Sequence, residues 1–135
     1  MRVADCRELR DLHGQTPDEA MEHLAASQGP VYSGRYDGRL VCMFGCVQPG
    51  LVGLTGIPWL LGTDELTVMG RYIARYTKSI LHEDWRKRHR LLFNVVDARN
   101  TLAVSWLRRI GFTLAPAQKL PNGALAQAFW MKGDG

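Results

Sequence analysis

The stretch Asn94-Val-Val-Asp-Ala-Arg-Asn-Thr-Leu-Ala-Val-Ser-Trp-Leu-Arg-Arg-Ile-Gly-Phe112 decides how this chain folds. Its apolar start belongs to a strand over Leu91 to Asp97, which gives way to a helix from Asn100 to Ile110 that Gly111 stops. Two more strands are expected around Phe112 to Ala115 and Ala126 to Met131, with Ala-Pro-Ala-Gln-Lys-Leu-Pro-Asn-Gly as the loop between them. Immediately upstream, Leu66, Met69, Ile73, Tyr76 and Ile80 step by three and four, which predicts a long helix to about Arg88. A strand over Leu51 to Thr63 precedes that helix, and its Gly53, Gly56 and Pro58 predict a bulge or splay. The middle of the chain is therefore built of β–α–β units.

Further out, Asp37-Gly38 reads as a hairpin turn between two strands in Val31 to Val47, because both central residues of a type I′ turn take positive φ. The second arm, Leu40 to Val47, is apolar throughout and should be covered on both faces. Thr16-Pro17-Asp18-Glu19 is a capping box for a helix that places Ala20, Met21, Leu24 and Ala25 on one side and stops at Gly29-Pro30. Before it, Val3, Cys6, Leu9 and Leu12 recur at helical spacing and predict a first helix over residues 3 to 12. The whole is an α/β (α+β) arrangement of about six strands and four helices.

A chain of 135 residues is expected to form one domain, spanning 1–135, and can bury roughly two thirds of its unfolded surface without staples. With 46% hydrophobic residues and a net charge of only +4 it is too apolar for disorder, and no run reaches the ~20 residues of a membrane span. Cys42 and Cys46 stand four apart on a strand, ~13 Å, too far for a disulfide. They and Cys6 have no metal-site spacing, His13, His23, His82 and His89 are dispersed, and no metal is expected. The N-terminus has no apolar core of signal-peptide type, so a reducing cytoplasm is the expected compartment. Much of the positive charge lies in Arg86-Lys87-Arg88-His89-Arg90 at a helix end and in a ridge of Arg71, Arg75, Lys78, His82 and Arg86 within a stripe of roughly 80°. Both read as solvated surface, and nucleic acid is not an expected partner.

The segment from Asn94 to Phe112, with Asn100, Ala103, Gly111 and Phe112 on the pattern, resembles the strand–helix–Gly-Phe segment of the GNAT superfamily of acetyl-CoA-dependent N-acetyltransferases. The element order from Thr16 to Met131 follows that of the family, with the family's first strand missing. Through Trp59-Leu-Leu-Gly-Thr-Asp64 and Val96-Asp-Ala-Arg-Asn100 the chain also resembles short GNAT-like proteins of tailed bacteriophages, some of them internal virion proteins.

The resemblance implies a mixed sheet with a gap between the family's fourth and fifth strands, here 51–63 and 91–97. Acetyl-CoA would enter that gap and rest its pyrophosphate on the amides that begin the long helix, where unpaired N–H groups and the helix dipole favour anions. The corresponding turn, Leu66 to Arg71, keeps only Gly70 of the family's R/Q-x-x-G-x-G/A loop. Cofactor contacts are expected from Leu60, Leu61, Gly70, Arg71, Arg75 and Asn100. Each has a plainer reading: core for the leucines, solvated helix for the arginines, a helix cap for Asn100.

Amide formation from a thioester needs a base for the amine, donors for the oxyanion and an acid for the thiolate. Leu107 stands where the family often has its acidic tyrosine, so Ser105, Tyr72 or Tyr76 would have to substitute, or the thiolate leaves unassisted. The fourth strand carries no carboxylate, which leaves Asp64, Glu65 and Asp97 at strand ends as base candidates, with a helix N-cap and a turn contact as the plainer roles of Asp64 and Asp97. The expected activity is acetyl transfer from acetyl-CoA to a protein or small-molecule amine in a host cytoplasm. The alternative is an inactive GNAT-fold phage protein whose partner is a host or virion protein. A homodimer is among the expected assemblies.

Overall fold

The computed structural model describes residues 1–26, 30–49 and 54–135. Two helices come first, α1 (Val3–His13) and α2 (Pro17–Ala26), then strands β1 (Val31–Tyr36), β2 (Arg39–Val47) and β3 (Thr55–Gly62). Helix α3 (Leu66–Ile80) widens into a π-helical turn at Leu81–Trp85 and finishes in a helical turn at Arg86–Arg88. Strand β4 (Leu91–Asp97), helix α4 (Thr101–Ile110) and strands β5 (Thr113–Leu114), β6 (Gln118–Lys119) and β7 (Leu125–Lys132) complete it.

Local chemistry accounts for most of these boundaries. The Thr16 hydroxyl accepts the Glu19 N–H at 3.2 Å and so caps α2. Asp37 and Gly38 both have positive φ, 51° and 76°, which closes the β1–β2 hairpin as a primed turn. Gly111, at φ 109°, ends α4 in the left-handed conformation, and its N–H returns to the carbonyls of Leu107 and Arg108.

The strands form one sheet in the order β1-β2-β3-β4-β7-β5, with β6 also on β7. Every pairing is antiparallel except β3 with β4. This is the expected mixed sheet with a seventh strand, because residues 118–119 of the predicted loop pair with β7. Leu51 and Gly53, assigned to the third strand from sequence, lie outside the described residues, as do Gly29 and the side chains of Leu24 and Ala25.

Strand β2 buries residues of both parities, Val41, Cys42, Phe44 and Cys46, as its unbroken apolar sequence requires. They join Leu66, Ile73, Leu81, Trp85, Leu92, Leu107, Ile110 and Phe129 in one core. Helices α3 and α4 are pinned together inside it by the Trp106 indole, which donates to the Thr77 hydroxyl at 2.9 Å. The basic ridge is solvated: Arg71, Arg75, Lys78 and His82 are exposed, and Arg86 bonds His82 and pairs with Asp134.

The first helix buries Leu9 as expected but departs from its expected phase at its start. Val3 is 81% exposed and Asp5 only 3%. The Arg2 N–H donates to the Gly62 carbonyl and the Gly62 N–H to the Asp5 carboxylate, so docking on the end of β3 overrides the apolar spacing.

Candidate active site

The site begins where β3 and β4 part. Among the described residues they are paired only at Thr55 with Leu91 and Gly56 with Leu92, although both strands run on for several residues. Beyond that point Pro58 has no N–H to donate. The Asn94 side-chain amide donates to the Pro58 carbonyl instead, at 3.0 Å across the opening. At the far end the opening is closed by a buried polar cluster in which Asn100 donates to Asp5 at 3.0 Å and Arg2 donates to both.

A groove of about 520 Å³ runs between α3 and α4 to this opening. Leu60 and Trp106 form its apolar floor, Thr67, Thr101 and Ser105 bring hydroxyls, and Arg71 and Arg109 are exposed on its rim. Its described lining holds no carboxylate, which suits an elongated anionic ligand. Gly70 also lines it, and a Cβ added there would meet nothing within 4 Å, so a ligand can approach the backbone closely.

The amides that begin α3 are already engaged. Those of Leu66 and Thr67 donate to the carbonyls of Thr63 and Asp64, and those of Val68 and Met69 donate to that of Glu65. The groove's free donors are therefore among its arginines and hydroxyls rather than at the helix terminus.

On the other side the opening holds a cavity of about 70 Å³, which shares Leu60 and Trp106 with the groove. Glu8 of α1 lines it, with its Oε1 accepting the Asp97 N–H at 2.8 Å. Desolvation, reinforced by the neighbouring Asp5 and Asp97 carboxylates, pushes the Glu8 pKa up to about 7 against the hydrogen bonds from Asp97 and Asn100. The cavity shares Leu9, His13, Trp59, Leu61 and Asn94 with a second groove of about 280 Å³ bordered by α1 and α2. The cavity in the opening thus shares walls with both grooves, which have no described lining residue in common.

Leu60, Gly70, Arg71 and Ser105 come together in the first groove as the sequence predicts. Leu61 faces the second groove instead, because successive strand residues point to opposite faces. Arg75 is exposed and borders neither groove. Asn100 is buried at the N-cap position without capping the helix, its amide spent on Asp5.

Asp64 is exposed in the turn before α3, and it is the Asp64 carbonyl that takes the Thr67 hydroxyl, at 2.7 Å. Asp97 is buried; desolvation would raise its pKa, but hydrogen bonds from the Arg99 guanidinium outweigh it and hold the carboxyl low. Neither borders the opening's cavity. Tyr72 and Tyr76 line a separate groove on the β1 side of α3, and Leu107 is 1% exposed. Glu8 and Arg109 were missed by sequence reasoning, although Asp5 and Glu8 share a helix face with Leu9 and Leu12, a signal of carboxylates turned toward the core. Among the described residues no three His, Cys, Asp or Glu side chains gather as a metal site, and no helix is long and apolar enough to cross a membrane.

No protein-family model and no curated protein matches the sequence. Solved structures do match the fold. Spermidine N-acetyltransferase from Vibrio cholerae, in complex with CoA and spermine, superposes with a TM-score of 0.65 at 9% identity, covering 97% of this chain and 84% of that one. The ribosomal-protein-S18-alanine N-acetyltransferase from Escherichia coli gives 0.63 at 13% identity, covering 100% and 92%. An N-acetyltransferase from Staphylococcus aureus Mu50 gives 0.62 at 12%, covering 90% and 80%. The chain has the fold of the GNAT acetyltransferases.

Proposed function

We propose that this chain is a GNAT N-acetyltransferase that transfers an acetyl group from acetyl-CoA to a primary amine. The observation that carries the reading is the parting of β3 and β4 after two residue pairs, at the end of a groove whose described lining offers arginines and no carboxylate. Arg71 and Arg109, with the hydroxyls of Thr67, Thr101 and Ser105, would hold the pyrophosphate of acetyl-CoA, and Leu60 and Trp106 would flank its pantetheine arm. Bound there, acetyl-CoA supplies the activated acyl group. The CoA held by the Vibrio cholerae neighbour supports this choice of co-substrate.

Isothermal titration with acetyl-CoA and with desulfo-CoA tests the reading. Measurable heat with both is expected, and the absence of heat and of any thermal shift at millimolar ligand would overturn it.

A second reading has its own observation. Leu107, at the position where the resembled family often has its acid, is fully buried, and the α3 amides are engaged by their own turn. Both suit a phage protein that keeps the fold and acts by contacting a host or virion protein. CoA binding without turnover of any amine would favour it. The enzyme would work in the host cytoplasm and the alternative in the virion. A homodimer is proposed for either, to be read by light scattering.

A further inference from the structure

We propose that Glu8 is the general base of the acetyl transfer and that the acceptor is a primary amine carrying a single apolar body, reaching Glu8 through the groove bordered by α1 and α2. This rests on the acetyltransferase reading above and adds to it a catalytic group and a substrate class.

Geometry leads to Glu8. Glu8 lines the cavity inside the opening, and that cavity shares Leu60 and Trp106 with the first groove and Trp59, Leu61 and Asn94 with the second. A thioester arriving from one side and an amine from the other would meet beside it. The other carboxylates nearby are committed: Asp97 to Arg99, and Asp5 to Arg2, Asn100 and the Gly62 amide. Glu8 is positioned by the Asp97 N–H and the Asn100 side chain, with no cation paired to it among the described residues. A carboxyl that titrates near neutrality is suited to taking a proton from an ammonium group at working pH.

The lining of the second groove sets the substrate. Val47, Ile57, Trp59 and Leu61 make it apolar, and its polar members include His13 and His23. Partial burial lowers the His13 pKa, so that ring adds no charge at neutral pH. The described lining holds no carboxylate, so an acceptor with several ammonium groups would find one counter-charge, Glu8, and no other. A polyamine is thereby disfavoured, in contrast to the spermidine acetyltransferases of the same fold.

In the step itself, Glu8 takes one proton from the ammonium, and the freed nitrogen lone pair forms the C–N bond to the acetyl carbon. The C–S bond breaks with its electron pair on sulfur, the thiolate takes the second nitrogen proton, and Glu8 returns its proton to water. The titratable and charged groups around Glu8 in this step are Asp5 with Arg2 and the uncharged His13 from its own end of the chain, and Asp97 with Arg99 from β4 and the following turn.

The test compares 2-phenylethylamine, a short peptide with an apolar N-terminal residue and spermidine as acceptors for the wild type and Glu8→Gln, with acetyl-CoA binding measured in parallel. The apolar amines should exceed spermidine at least about tenfold in kcat/KM, and the better of the two tells whether the amine comes from a small molecule or a chain end. Glu8→Gln should bind acetyl-CoA as the wild type does while losing about 100-fold or more in kcat, together with the rise of rate through neutral pH. In the ¹³C carboxyl spectrum, saturating phenylethylamine should move the Glu8 midpoint down by about one unit, as an opposite charge does and a merely structural carboxyl would not feel. A preference for spermidine, an unchanged pH profile in Glu8→Gln, or acetyl-CoA binding with none of the amines acetylated would each overturn this inference and leave acetyl-CoA binding standing. Failure of acetyl-CoA to bind would overturn the parent reading, and this one with it.

Discussion

The side-chain amide of Asn94 donates to the carbonyl of Pro58 at 3.0 Å, spanning two parallel strands where their backbone ladder has already ended. One side chain thus bridges the gap that the proline helps to open. Asn94→Ala should cost about 1 kcal/mol in denaturant unfolding through the lost bond. It should also reduce turnover more than acetyl-CoA affinity, because the bridge lies at the opening and outside the first groove. Equal losses in both would show that Asn94 does not set the opening's width.

Gly56 and Gly70 predict opposite outcomes for the same substitution. A Cβ on Gly56, the last paired residue before the opening, would lie 2.6 Å from the Cys46 sulfur and 2.7 Å from the His89 ring, so Gly56→Ala should destabilise by about 1–3 kcal/mol. Gly70 sits within α3 with open space beyond it, so Gly70→Ala should stabilise by up to about 1 kcal/mol while weakening acetyl-CoA binding. Thermal melts with and without acetyl-CoA read both.

Arg71 and Arg109 line the first groove, whereas Arg75, one turn further along α3, does not. Removing either of the first two should weaken acetyl-CoA about tenfold, the scale of one charge-assisted hydrogen bond at a partly solvated site. Arg75→Ala should leave affinity within twofold. Calorimetry on the three variants separates a groove contact from a general effect of lost positive charge.

Glu8 couples stability to pH in a direction opposite to that of most carboxylates. Its pKa is 4.5 unperturbed and about 7 in the fold. The folded state therefore binds the proton more tightly, and stability falls as pH rises from about 4.5 to about 7. Glu8→Gln, which mimics the protonated form, should be about 1–3 kcal/mol more stable than wild type at pH 8, with the gain gone at pH 4. Urea titrations at the two pH values check the sign.

Burial pushes the thiols of Cys42 and Cys46 up to about 11 and about 12, and Cys6 is partly exposed. A disulfide reagent at pH 8 should titrate one thiol in the native protein and three after denaturation.

What could be read from sequence was what neighbouring residues decide among themselves. The period of α3, the left-handed stop at Gly111 and the Asp37-Gly38 turn depend on a few consecutive positions, and each stands where expected except that Tyr76 of the α3 series is exposed. The parting of β3 and β4 was foreshadowed by Gly56 and Pro58, whose effect is also local. The phase of α1 was not legible, because it is set by Gly62, nearly sixty residues away, reaching Arg2 and Asp5. Glu8 was legible only through the face it shares with Leu9 and Leu12. Arg109 carries no local signal of its own, because its place on the groove depends on α3 packing beside α4. Asp97 looked like a base until Arg99 folded back onto it.

Strand β7 is the latest strand in sequence and lies in the interior of the sheet, between β4 and β5. A ribosome making this chain therefore completes α3, β4 and α4 before the strand that joins β4 to β5 exists. Until residues 125–132 emerge, β4 presents an unpaired backbone edge next to the apolar Leu92 and Val96, an invitation to pairing with another nascent chain. Assembly of the sheet waits for β7 by topology, and yield on overexpression should depend on synthesis temperature and chaperone supply.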